Sequence, residues 1–102
     1  MAFACAYIVA SQRRVIYLGV TGNLEARVWQ HKFEPKGFVA KYQTNKLVYF
    51  ERYAHMLSAI DREKELKGWT RERKIALIES VNPKWRDLST GGHARPVARR
   101  PK

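Results

Sequence analysis

Apolar runs alternate with short polar breaks along this chain, and the period of each run predicts an element. Residues 2–10 (AFACAYIVA) are apolar, Ser11-Gln12-Arg13-Arg14 interrupts them, and a second apolar run extends from Val15 to Val20. Two β-rich runs joined by a short polar connection predict an antiparallel hairpin. Thr21-Gly22-Asn23 ends the second strand. Asn23 is a good N-cap and Glu25 suits the positive end of a helix dipole, so a helix is expected from about Leu24 to Phe33. Residues 34–46 hold Pro35, Gly37 and several lysines, and predict an irregular connection. LVYFERY (47–53) reads as a third strand. A second helix is expected from about Ser58 to Lys67, with Ser58 and Asp61 in capping-box spacing and Gly68 as its stop. A third opens after Thr70 and runs to about Val81, where Asn82-Pro83 ends it. There is no internal repeat. The order ββαβαα implies an α+β domain, a small three-stranded antiparallel sheet flanked by helices.

Charge narrows the class of partner. Twenty Lys and Arg against nine Asp and Glu leave a net +11 on 102 residues. A field of that sign draws in polyanions, so nucleic acid is the leading partner class, with anionic membrane second. Four of the surplus charges lie in HARPVARRPK (93–102), and seven belong to residues 1–92, so the basic character is shared by the folded part. Residues 1–90 are expected to form the domain and 91–102 a basic, flexible tail, given Gly91-Gly92, Pro96 and Pro101. No membrane partner is expected. The apolar N-terminus is far too short to span a bilayer, and no segment pairs a basic face with a strongly apolar one. A lone cysteine, Cys5, permits no intramolecular disulfide and offers no zinc spacing, which makes a reducing cytoplasm the default compartment.

Several polar residues sit where chemistry is easier to explain than packing. Tyr7 and Tyr17 share parity across the hairpin, and a turn centred on Gln12 places them directly opposite on one face. Arg27 and His31 are four apart on the first helix and flank its Leu24/Val28 stripe, so both can look toward the sheet. On the second helix Met56, Ala59 and Leu66 form an apolar stripe, with Asp61, Arg62, Lys64 and Glu65 on other faces. Glu63 falls inside that stripe. A charge turned inward must be paired, neutralised or bound to metal, so an ion pair with Lys67 and a divalent ion are the alternatives. Gly19 inside a strand marks a bulge or a close backbone approach. Lys32, Lys36, Lys41 and Lys46, interspersed with Phe38 and Tyr42, form a basic connection suited to positioning phosphates. Trp29, Trp69 and Trp85 read as packing residues, and His55 and His93 receive no role.

Tyr7-Ile8-Val9, then Tyr17-Leu18-Gly19, Arg27, His31 and a helix glutamate follow in an order that resembles the GIY-YIG nucleases, closest to their small stand-alone members. The superfamily includes homing endonucleases, some restriction enzymes and the nuclease subunit of bacterial excision repair. The likeness runs over about residues 3–88, including KGWTRERKIALIESVNPKWRDL (67–88). It implies a metal-dependent endonuclease using one Mg²⁺ or Mn²⁺ held by Glu63, waters and substrate phosphate. Tyr7 would act as general base, Tyr17 would orient water or phosphate, and His31 would assist proton movement. Arg27 would stabilise charge on the phosphate. Two features depart from the pattern: Cys5-Ala6-Tyr7 keeps only the tyrosine of the first triplet, and the asparagine is matched only by Asn82, nineteen residues beyond Glu63. A nucleic-acid-binding module of the same fold without cleavage is the alternative these departures leave open.

Overall fold

The computed structural model describes residues 3–89 and 98–99. A hairpin of β1 (Ala4–Ala10) and β2 (Ile16–Thr21) leads into α1 (Leu24–Phe33) and a short α2 (Gly37–Tyr42). β3 (Lys46–Tyr53), α3 (Met56–Lys67) and α4 (Arg71–Val81) follow. The antiparallel sheet β2-β1-β3 with helices on both faces is the α+β fold expected from the pattern. The segment expected to be a basic tail lies outside the described residues, except that Ala98–Arg99 (β4) pairs parallel with β3. Among the described residues no helix is long and apolar enough to cross a membrane.

Strand alternation sorts the two faces. Ile8, Ala10 and Leu18 join Leu66 of α3 and Ile78 of α4 in one cluster, while Ala4, Ala6 and Tyr53 pack with Ala59 of α3. On the opposite face Tyr7, Val9, Leu47 and Phe50 receive Val28 of α1. β1 is buried along its whole length because its neighbours pair on both sides and helices cover both faces.

Three expectations are corrected. Residues 37–42 form α2 rather than an irregular connection. Pro35 and Gly37 act as its entry, Val39 is buried beneath it, and Gln43 ends it in the left-handed region (φ 56°). The hairpin turn is centred one residue later than Gln12: Ser11 and Val15 close it, with Arg14 left-handed (φ 66°). Tyr7 therefore faces Gly19, and Tyr17 faces Val9. The tyrosines share a face but stand diagonally. Finally, α3 begins at Met56 with His55 as an N-cap that makes no side-chain bond, not at Ser58.

The inward face of α3 also differs. Its buried residues are Ala59, Arg62 and Leu66, while Met56 is exposed. Arg62 turns in because Glu51 of β3 lies beneath it with no solvent exposure. Arg62 Nε and Nη2 donate to the Glu51 carboxylate at 3.0 and 3.1 Å, and the hydroxyls of Tyr49 and Tyr53 donate to it as well. Burial alone would raise the Glu51 pKa, but these donors hold it below its ordinary value. Trp69 lies against the guanidinia of Arg62 and Arg73 and Trp85 is buried, both in packing roles. Trp29 is half exposed and touches Phe33, so it is not a core residue.

Removing one member of a buried pair strands the other charge. Glu51→Ala should cost about 3–5 kcal/mol of folding stability in urea unfolding, because Arg62 and two tyrosine hydroxyls lose their acceptor. In the wild type the contribution of Glu51 is present above pH 4.5 and is lost as pH falls through its depressed folded pKa.

Candidate active site

Gly19 is the position on which the site geometry turns. A β-carbon there would lie 2.5 Å from the Tyr7 hydroxyl oxygen and 2.6 Å from Cζ. The phenol thus leaves β1 and lies flat over the bare backbone of β2, an edge strand of the sheet. It is fully buried, and its hydroxyl is 2.9 Å from Nε2 of His31. α1 delivers His31 because Asn23 caps the helix, accepting from Ala26 N at 3.1 Å, and Val28 seats it on the sheet. His31 then follows Val28 by three residues on the buried face.

Burial sets both protonation states. It pushes the Tyr7 hydroxyl up to about 12, against the opposing pull of the Arg27 guanidinium. It also lowers His31 below 6.5, with Arg27 adding to the effect. At neutral pH the phenol therefore carries its proton and the imidazole is neutral, so Tyr7 donates and Nε2 accepts.

Tyr17, Arg27 and His31 line a cleft of about 400 Å³, together with Gln30 and Glu34 of α1, Lys36 and residues 37–39. Arg27 is exposed in this cleft and aligned with His31 one turn away. The edge of the Tyr17 ring meets His31 (centroids 5.9 Å apart) and packs on Phe38 at 5.6 Å. Gln30 and Glu34 were not singled out from the sequence. Their spacing of three and seven from Arg27 is the signal that could have found them.

Glu63 stands on α3, in the layer beyond the sheet, and does not line the cleft. Its charge nonetheless reaches the Tyr7 hydroxyl over the edge strand and raises its pKa. Its carboxylate is only 15% exposed and is 2.8 Å from Lys67 Nζ, whose side chain is 57% exposed. The hydrogen bond to Glu63 raises the Lys67 pKa, and Tyr17 acts on it in the same direction. Lys67 is a further cation by the site that the sequence suggested only as an ion-pair partner.

Other expected site residues are placed elsewhere. Asn82 is buried as the C-cap of α4: its Nδ2 donates to the carbonyls of Val48 and Arg86, and its Oδ1 accepts from Arg86 N. An amide so committed ties the C-terminal segment to β3 and is not brought to the cleft. Lys32 is paired with Asp87 and donates to the Asn45 carbonyl, and Lys46 donates to the Trp85 carbonyl at 3.3 Å. Of the four lysines, only Lys36 lines the cleft, while Lys41 sits over the Tyr42 ring on the adjoining helix. The Cys5-Ala6 departure falls in the core. Cys5 and Ala6 are buried, and Ala6 packs with Ala4, Tyr53 and Ala59.

A small α+β domain that gathers two tyrosines, an arginine and a histidine beside a basic cleft is of the nuclease type. The family model described as the GIY-YIG catalytic domain matches residues 3–76. UPF0213 protein SH2523 of Staphylococcus haemolyticus is 36% identical over 77 residues, covering 72% of this chain and 90% of that protein. UPF0213 protein CPE1444 of Clostridium perfringens is 38% identical over 82 residues, covering 76% and 85%. The solution NMR structure of UPF0213 protein BH0048 from Bacillus halodurans shares the fold, with TM-score 0.54 and 18% identity over 90% of this chain and 98% of that one. The chain belongs to the GIY-YIG family, among its small UPF0213 members.

Gly19→Ala should expel the Tyr7 ring from its seat. Overpacking of this kind costs about 1–3 kcal/mol. Displacing the ring should also admit solvent to His31 and raise its pKa toward 6.5, because burial is the main cause of its depression, which an NMR titration of the imidazole would detect.

Proposed function

We propose that this protein is a divalent-metal-dependent endonuclease that hydrolyses phosphodiester bonds in nucleic acid, with DNA as the favoured substrate. The observation that carries the reading is the buried Tyr7–His31 hydrogen bond at 2.9 Å beside a cleft holding Arg27. Proton abstraction from water needs a base, and a phenol with a pKa of about 12 is no base while it holds its proton. The neutral His31 imidazole gives that proton somewhere to go. Tyr7 can therefore take a proton from an attacking water as its own passes to Nε2, with His31 as the terminal acceptor. Arg27 carries a permanent charge on the open side of the cleft, where it can pair with phosphate oxygens and stabilise charge as it builds. Tyr17, held between His31 and Phe38, orients the water or the phosphate.

The donor set fits one hard cation. Among the described residues no group of three or more His, Cys, Asp and Glu gathers to hold a metal, and Glu63 would be the carboxylate that holds one, together with waters and substrate phosphate. Mg²⁺ and Mn²⁺ suit such sparse ligation, since Mg²⁺ retains waters and shares phosphate oxygens with one or two carboxylates. Lys67, whose side chain is more than half exposed, would have to release the carboxylate to the metal. A bound divalent cation supplies Lewis-acid stabilisation of the phosphate and of the leaving 3′-oxygen. The burial of Cys5 and Ala6 also supports cleavage over a pure binding role, because the departure from the family triplet leaves the site itself untouched.

Glu63→Ala should abolish cleavage of plasmid DNA in Mg²⁺ or Mn²⁺ while leaving gel-shift affinity intact or slightly higher. Thermal stability should change by less than about 1 kcal/mol, since the Lys67 partner is largely solvated. Undiminished cleavage per folded molecule would place the ion elsewhere. Wild-type binding without cleavage in either metal would favour the binding module.

Cleavage should also be flat through neutral pH and decline in acid, below a pKa that lies under 6.5, as His31 protonates and can no longer accept. Folding stability should weaken as pH falls through about 6.5, because the unfolded chain takes up the His31 proton before the folded one does. The pH profile of kcat/KM and urea melts between pH 5 and 8 (a window of about the histidine range) check both.

A further inference from the structure

The rings of this protein form a continuous row that begins at the chemistry and ends in solvent. Tyr7 contacts His31 at 5.6 Å between centroids, His31 contacts Tyr17 at 5.9 Å, Tyr17 contacts Phe38 at 5.6 Å, and Phe38 contacts Tyr42 at 4.6 Å. Exposure rises along it, from 1% at Tyr7 and 9% at His31 to 42% at Phe38 and 40% at Tyr42. The inner rings are explained by packing and by the proposed reaction. The outer two are not. α2 seats itself through Val39, which is buried, yet it presents Phe38 and Tyr42 one turn apart to water.

Their setting identifies the occupant. Phe38 lines the same cleft as Arg27 and Lys36, and Lys41 covers the Tyr42 ring at 5.3 Å. Flat apolar faces interleaved with cations match a nucleotide, which offers a π-face on its base and a charge on its phosphate. An apolar peptide would find its surroundings too cationic, and a phosphate alone would leave the rings unused. A base inside a duplex already stacks on both faces, so only an unpaired base can lay its face on Phe38.

We infer that Phe38 and Tyr42 form a stacking platform for one unpaired nucleobase next to the phosphate bound at Arg27. The preferred ligand is then single-stranded or locally unpaired nucleic acid. The inference rests on the nuclease reading only for the phosphate's position. The cleft of about 400 Å³ is of the size that admits one small ligand group. Tyr17 gains a second role, since it joins the platform to the reacting end.

The test uses the full chain in EDTA, so that binding is read without cleavage. One oligonucleotide carrying a single 2-aminopurine is offered as a single strand, as a blunt duplex, and as a duplex with that base unpaired. Binding should be tighter to the first and third forms, with 2-aminopurine emission quenched on binding. Phe38→Ala and Tyr42→Ala should each weaken those two forms by about tenfold, relieve the quenching, and leave the blunt duplex unaffected. Phe38→Leu, which keeps the contact with Tyr17, should bind without quenching, and Phe38→Trp should restore it. Tyr42→Ala keeps the test decisive if Phe38→Ala fails to fold, because Tyr42 is at the exposed end of α2. Equal affinity for all three forms without quenching overturns the platform. Quenching without cleavage after Mn²⁺ is added supports the platform and removes the nuclease, whereas cleavage of blunt duplex without quenching does the reverse.

Discussion

A phenol ring occupies the space that a β-carbon at residue 19 would need, and the proposed chemistry depends on that one close approach. It lets a residue of the central strand cross onto an edge strand without giving up its burial. There the hydroxyl meets a histidine from α1 and feels a carboxylate from α3, two helices on opposite faces of the sheet. The edge is where the two layers can act on one atom. Burial holds the proton on the phenol and keeps the imidazole neutral.

The distribution of cations follows from what the core needs first. Arg62 is drawn inward by Glu51, Lys32 by Asp87, and Lys46 by a backbone carbonyl. Asp87 repeats the logic of Glu51: burial would raise its pKa, but Lys32, Ser89 and the Leu47 amide hold it down. These pairs clamp helix to strand and the segment after α4 to β3. The cations at the cleft are Arg27, which also acts on the Tyr7 hydroxyl, and Lys36, with Lys41 nearby. A net +11 is therefore a poor guide to the binding surface, because part of it is structural. The long-range field still attracts a polyanion, but only some of the exposed cations stand at the cleft.

Two carboxylates show how alike charges part company. Glu51 lies on β3 beneath helix α3, Glu63 stands on α3 itself, and both meet a cation. Glu51 has no exposure, accepts from Tyr49, Tyr53 and Arg62, and serves the fold. Glu63 keeps some solvent contact and a partner whose side chain is more than half exposed. The ion pair with Lys67 is what the structure holds, and the proposed metal role would require the Glu63 carboxylate to leave it.

Hydrophobic period and capping chemistry determined most of the architecture on their own: the hairpin, α1 from Asn23, α4 from Thr70, and the stop at Gly68 are local events that nearby residues control. The ordered set of Tyr7, Tyr17, Gly19, Arg27 and His31 was legible too, because strand parity and helical spacing place them on facing surfaces. Tertiary structure decided the rest. A hairpin register depends on one left-handed residue in its turn, so Tyr7 came to face Gly19 rather than Tyr17. α2 forms because Val39 finds a buried place, which Pro35 and Gly37 conceal in the sequence. Arg62 turns inward only because Glu51 lies beneath it, Asn82 is taken up by the carbonyls of Val48 and Arg86, and Lys32 is taken by Asp87. In each case a partner far along the chain fixes the fate of a polar side chain. Local pattern says which way such a side chain can point, and only the assembled fold says what is waiting there.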